Sequence, residues 1–136
     1  MSTALLLEVH TALRRYLIPQ THLDHLTVVL AGQEPTPSER GKPLVCRALG
    51  PLLDATDVGH PARQHALTVE LRRRTVLLLV ERAARLTTPG TVQPLGTLLA
   101  RCLARPWVLG AVVIDDCPVL VLDLRRIAAD VALGAV

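Results

Sequence analysis

Aromatic side chains are almost missing from this sequence. Of 136 residues only Tyr16 and Trp107 are aromatic, and there is no Phe. That scarcity argues against a base-stacking surface, which needs exposed rings. Lysine is nearly absent as well: fourteen Arg and one Lys face twelve acids, for a net charge of +3 and an isoelectric point near 9.1. So mild a balance falls short of the basic field of a nucleic-acid-binding domain. Cysteine is sparse, three residues with no repeated spacing. No disulfide framework follows, and the cysteines read as small buried hydrophobes in a reducing compartment. No run approaches the ~20 continuous apolar residues that cross a bilayer. Met1 to Leu7 lacks a basic leader, and Glu8 and His10 interrupt its apolar stretch, so the expectation is a cytoplasmic protein with no membrane insertion.

What is present is aliphatic. Half the residues are hydrophobic, with 27 Leu and 16 Val. A chain this apolar buries enough surface to offset its ordering entropy, which excludes disorder. At this length it buries about 70% of its unfolded surface, so one domain spanning residues 1–136 needs no metal or disulfide staple.

The pattern along the chain predicts mostly short strands. Ala4–Val9 and Arg14–Ile18 read as a hairpin turning at His10–Leu13, although Leu-rich runs leave strand and helix hard to separate. Pro19 ends the second strand, and Thr21 is placed to cap a short helix carrying Leu23 and Leu26. Ala31–Lys42 is polar, with two Pro and two Gly, and reads as a long loop. Pro43–Leu49 reads as a strand running into a helical turn at Gly50–Leu53. Asp54–Arg63 is a second loop and the expected boundary between halves. His65–Leu71 and Thr75–Val80 form a second hairpin, with Arg72-Arg73-Arg74 as its turn. Glu81–Leu86 and Pro94–Leu103 read as helical stretches. Trp107–Asp115 and Pro118–Leu122 pair through a tight turn at Asp115-Asp116-Cys117. Asp123 caps a final helix with Leu124, Ile127, Ala128 and Val131 on one face.

An internal echo runs through this order. Pro43-Leu-Val-Cys-Arg-Ala-Leu-Gly-Pro-Leu52 and Pro118-Val-Leu-Val-Leu-Asp-Leu-Arg-Arg-Ile127 share one frame, in which Pro opens an apolar strand that runs straight into a helix. The hairpin Ala4–Ile18 is matched in the same way by Ala66–Val80. Two similar β-rich lobes, approximately residues 1–58 and 59–136 with crossing termini, account for both echoes.

Candidate chemistry is thin. His22-Leu-Asp-His25 has a spacing that metal sites use, but no third ligand is in register, and a polar exposed helix face is the plainer reading. His60-Pro61 has no obvious partner. Asp115-Asp116 reads as a solvated turn rather than a carboxylate pair. Cys46 beside Arg47 has a neighbour that lowers a thiol pKa, yet without a base or an oxyanion site it reads as a core residue. Tyr16 and Trp107 adjoin apolar strands and read as core. No phosphate loop, nucleophile elbow or zinc-protease motif occurs, so no catalytic residue, metal or cofactor is expected.

The ordered series of elements resembles the CheW-like family, the small adaptor domains of bacterial chemotaxis arrays. Leu5-Leu-Leu-Glu-Val-His with Arg15-Tyr-Leu-Ile-Pro is similar to that family's first hairpin. Arg40-Gly41 ahead of Pro43-Leu-Val-Cys-Arg-Ala-Leu resembles its central turn and following strand. Thr75-Val-Leu-Leu-Leu-Val-Glu-Arg-Ala resembles its second-half strand. Val108 through Ile127, with Gly110 early and Asp123-Leu124 at the close, resembles its final hairpin.

The resemblance implies a mainly β fold with short helices: two SH3-like five-stranded β-barrel lobes sharing an apolar core. It implies a non-enzymatic adaptor that couples a chemotaxis-type histidine kinase, through its regulatory domain, to the cytoplasmic tip of a chemoreceptor. The family's partner-contact turn maps to Ser38, Glu39, Arg40 and Gly41. The chain departs from the family pattern at Ser38, where Asn is usual, and at Ala48 and Glu81, where Asp is commoner. The stretch Glu34–Glu39 is also shorter and more polar. Two alternatives stand beside this reading. One is a divergent paralogue serving pilus motility or another pathway. The other is a small basic β-barrel that binds nucleic acid through Arg14, Arg15 and Arg72–Arg74.

Overall fold

The computed structural model describes residues 3–30, 43–58, 63–85, 90–96, 101 and 105–135. Strands β1 (Thr3–Ala4), β2 (Leu6–His10) and β3 (Arg15–Pro19) are followed by a 3-10 turn (Gln20–His22) and β4 (His25–Leu30). Next come β5 (Leu44–Ala48), helix α1 (Leu49–Leu53), β6 (Arg63–Glu70), β7 (Thr75–Val80), β8 (Arg82–Arg85) and β9 (Gly90–Thr91). The chain closes with β10 (Val108–Ile114), β11 (Cys117–Leu122) and helix α2 (Leu124–Ala132). The molecule is mainly β with short helices.

Two sheets carry the fold. The first is ordered β10-β11-β3-β2-β8, the second β4-β6-β7-β5, and β1 pairs with β9 beside them. Among the described residues the second sheet therefore has four strands, where five were expected. Each sheet is built on one hairpin, β2–β3 or β6–β7, and takes its other strands from the opposite half of the chain. β11 lies parallel to β3, with Val121 opposite Leu17, and β5 lies parallel to β7 from Leu44↔Thr75 to Ala48↔Leu79. β8 adds to β2 and β4 adds to β6, both antiparallel. The exchange is reciprocal, and each sheet draws strands from both sides of residue 58.

Alternation along the strands supplies two cores, because successive side chains point to opposite faces. Leu7, Val9, Tyr16 and Ile18 meet Leu67, Val69, Val76 and Leu78 in the core shared by the sheets. Leu6, Leu17, Val112, Val119 and Val121 fill a smaller core on the other face of the first sheet. Helix α2 seals the shared core with Leu124, Ile127, Ala128 and Val131. Its first turn is held by Asp123, whose side chain accepts from Arg126 N as expected of the cap. Burying each large aliphatic of this face contributes about 1.5–3 kcal/mol, an upper estimate because the unfolded chain is not fully extended. Tyr16 and Trp107 are both core residues, and Trp107 Nε1 donates to Asp130 Oδ2 of α2 at 2.7 Å.

Three expected helices need correction. Thr21 caps nothing: the turn after Pro19 closes within three residues, and His25–Leu30 is a strand paired with β6 from His25↔Thr68 to Leu30↔Arg63. The β-branched Thr27, Val28 and Val29 favour that pairing over a helix. Arg82–Arg85, within the expected helix Glu81–Leu86, is strand β8, paired with β2 from His10↔Arg82 to Leu7↔Arg85. A segment that short cannot sustain a helix alone, whereas a strand satisfies the open edge of β2. The expected helix Pro94–Leu103 is corrected only at its start: Pro94, Leu95 and Gly96 are not helical, whereas Arg101 is, and residues 97–100 and 102–104 lie outside the described part.

Candidate functional site

The turn Ser38-Glu39-Arg40-Gly41 lies outside the described residues, as does His60-Pro61. Its flanks are placed: Leu30 pairs with Arg63 at one end, and Pro43 O accepts from Thr75 N at 3.0 Å at the other. Both flanks belong to the second sheet, so the segment between them springs from opposite edges of it.

The other singled-out side chains do not converge. His22 sits in the 3-10 turn and His25 in β4, and among the described residues no three His, Cys, Asp or Glu side chains come together. His22 Nδ1 is 3.7 Å from Asp123 Oδ1 and has no hydrogen-bond partner. Burial holds the imidazole pKa below its ordinary value; Asp123 opposes that shift and Arg125 reinforces it. Asp115 and Asp116 form the β10–β11 turn, with left-handed φ of 50° and 63°. Such paired positive φ values belong to the tight hairpin turn that matches strand twist.

Two of the three cysteines correct the core reading, and Cys102 lies outside the described residues. Cys46 and Cys117 are exposed, Cys46 on the edge strand β5. Neighbouring atoms still desolvate the Cys46 thiol enough to raise its pKa, away from the reactive thiolate.

What the fold does assemble is a clamp between its two sheets. Asp57 is buried in the loop after α1, at 1% exposure. Thr11 Oγ1 donates to its Oδ2 at 2.5 Å, and Leu13 N donates to its Oδ1 at 3.3 Å. Asp54 organises the same loop by accepting from Thr56 N and Thr56 Oγ1, and it pairs with Arg14 at 3.3 Å. Gly50 lets α1 approach, since a Cβ there would sit 2.9 Å from Asp57 O. Nothing in the local sequence distinguishes Asp57 from Asp54; only the arriving β2–β3 turn does.

Two grooves occupy equivalent positions in the fold, each bounded by a hairpin turn, the end of a helix and a strand that runs into the other helix. One, of about 780 Å³, lies between Arg14-Arg15-Tyr16, the end of α1 at Leu53-Asp54, and β11. The other, of about 630 Å³, lies between Leu71 to Arg74, the end of α2 and Val45 of β5. Exposed aliphatics mark the outer edges of the sheets, Leu26 and Val28 on β4 and Leu109 and Val113 on β10. Among the described residues, no helix is long and apolar enough to cross a membrane.

Sequence comparison finds no matching family model and no matching curated protein. Comparison of structures does find likeness. The chain resembles the scaffolding protein TtCheW from Thermoanaerobacter tengcongensis, with a TM-score of 0.61 and 16% sequence identity over 90% of each chain. At that identity the likeness establishes the fold, a CheW-like arrangement of two β lobes.

Proposed function

We propose that this chain is a non-enzymatic adaptor of a chemotaxis-type signalling array. One observation carries the reading: its fold matches that of a scaffolding protein along 90% of both chains. The partners in this reading are the regulatory domain of a histidine kinase and, through a separate surface, the cytoplasmic tip of a chemoreceptor. The setting is the cytoplasm, and residues 1–136 act as one unit of two SH3-like lobes. The edge strands β4 and β10, with Leu26, Val28, Leu109 and Val113 exposed, support apolar edge contacts with a kinase domain of similar fold. The turn Ser38-Glu39-Arg40-Gly41 is the proposed polar part of the interface, where the planar guanidinium of Arg40 suits a bidentate ion pair.

Co-sedimentation of the whole chain with the cognate kinase regulatory domain tests the reading. Binding is expected at or below tens of micromolar, weakened roughly tenfold by Val113→Glu or Arg40→Glu. No binding by the native chain in that range overturns the coupling role.

A further inference from the structure

The two grooves occupy equivalent places in the fold, yet their charges are handled differently. In the groove beside the first hairpin, Arg14 is neutralised by Asp54 at 3.3 Å and Arg15 lies 3.5 Å from Glu8. In the groove beside the second hairpin, Arg72, Arg73 and Arg74 are all exposed, and among the described residues no Asp or Glu lines the cavity. Among the described residues none of the three has a carboxylate partner. Arg74 Nη1 donates instead to Ala132 O at 2.9 Å, which fixes the turn to the carbonyl end of α2.

The floor of this second groove is aliphatic. Val45 and Leu71 are half-buried, Val131 is buried, and Leu133 overhangs the cavity at 81% exposure. An apolar trough of about 630 Å³ has room for a few aliphatic side chains of a ligand. The basic rim above it is uncompensated within the described structure, so the ligand must bring carboxylates as well as apolar groups.

We propose that the groove between the Arg72–Arg74 turn and the C-terminal end of α2 docks an acidic amphipathic helix of a protein partner. Apolar side chains one turn apart enter the trough, and flanking Glu or Asp side chains meet Arg72 and Arg73. A nucleic acid suits the site less well, since phosphate satisfies the rim but nothing in a duplex fills an aliphatic floor, and no aromatic lines the groove for a base. This surface is separate from the β4 and β10 edges and does not depend on kinase coupling.

The test is fluorescence polarisation of the whole chain with a labelled synthetic peptide of about four helical turns, with Leu on one face and Glu on the other. Binding is expected on the order of tens of micromolar, weakening with added salt. Arg73→Glu and Arg85→Glu change net charge equally, and both residues are exposed. Arg73→Glu is expected to weaken binding roughly fivefold, whereas Arg85→Glu leaves it nearly unchanged. Leu133→Glu and a peptide with Ser in place of Leu should both lose binding. Equal weakening by Arg73→Glu and Arg85→Glu, or undiminished binding of the Ser peptide, overturns the proposal in favour of general charge attraction. A duplex oligonucleotide that binds more tightly than the peptide and is released by Arg73→Glu overturns it in favour of nucleic acid. The kinase co-sedimentation reads a different surface, so either result stands without the other.

Discussion

Thr11 and Asp57 are 46 positions apart and share a buried hydrogen bond of 2.5 Å. That bond, with the one from Leu13 N, ties the turn of the first hairpin to the loop that follows α1. Because α1 follows directly from a strand of the second sheet, the contact fastens one sheet to the other. Removing the carboxylate takes the acceptor from both bonds, leaving Thr11 Oγ1 only its longer 3.2 Å contact with Arg14 O and Leu13 N without a side-chain acceptor. Asp57→Ala is expected to cost about 2–4 kcal/mol, and Thr11→Val about 1–2 kcal/mol, in urea unfolding. A double variant costing less than the sum of the singles would establish the coupling, and full additivity would refute it.

Gly110 is required by a close approach rather than by its dihedral angles. A Cβ there would run into the carbonyl oxygen of Gln93 and come within 2.9 Å of Val92 Cγ1. The Gln93–Ala111 bridge beside it would have to open. Gly110→Ala is expected to destabilise by about 2–3 kcal/mol, read as a lowered unfolding midpoint. A midpoint equal to the native one would show that this backbone yields freely.

The Asp115-Asp116 turn invites the opposite change. Asp116 has φ 63°, a conformation that costs a non-glycine residue energy although Asp tolerates it better than most. Asp116→Gly produces the Asp-Gly pair that such turns favour, and a gain of about 0.5–1 kcal/mol is expected in thermal unfolding. A loss of stability would mean that the Asp116 side chain holds the turn.

His22 makes stability depend on pH. Its folded-state pKa is depressed, mainly by burial, so the unfolded chain takes up the proton first. The stabilisation is complete above the ordinary pKa of 6.5 and is lost as pH falls through the lower folded value. Native protein should lose stability on acidification below about pH 6.5, and His22→Gln should flatten that part of the profile. The sole tryptophan, buried Trp107, provides the fluorescence signal. An unchanged slope in His22→Gln would assign the titration to another group.

Much of the local structure is legible in the residues. Both hairpins, the Arg72–Arg74 turn, the two strand-to-helix units and the α2 face with its Asp123 cap follow from alternation, turn chemistry and helical spacing. These features involve neighbours within one or two turns of chain, where side-chain direction and backbone preference agree.

β4 and β8 were not legible for the converse reason. Each is short, and the hydrogen bonds that make it a strand come from a hairpin of the other half. The same holds for Cys46. It reads as core in an apolar run, but β5 is an edge strand and its side chain faces outward.

The repeated pattern of hairpin, connecting segment and strand-to-helix unit belongs to the one-dimensional sequence. Which hairpin each unit joins does not, since β5 beside β7 and β11 beside β3 are parallel pairings that need long connections. Only the folded chain decides that exchange, and with it the burial of Asp57 and the open charge of the Arg72–Arg74 groove. The physical reason is that burial and charge neutralisation depend on what arrives from far along the chain.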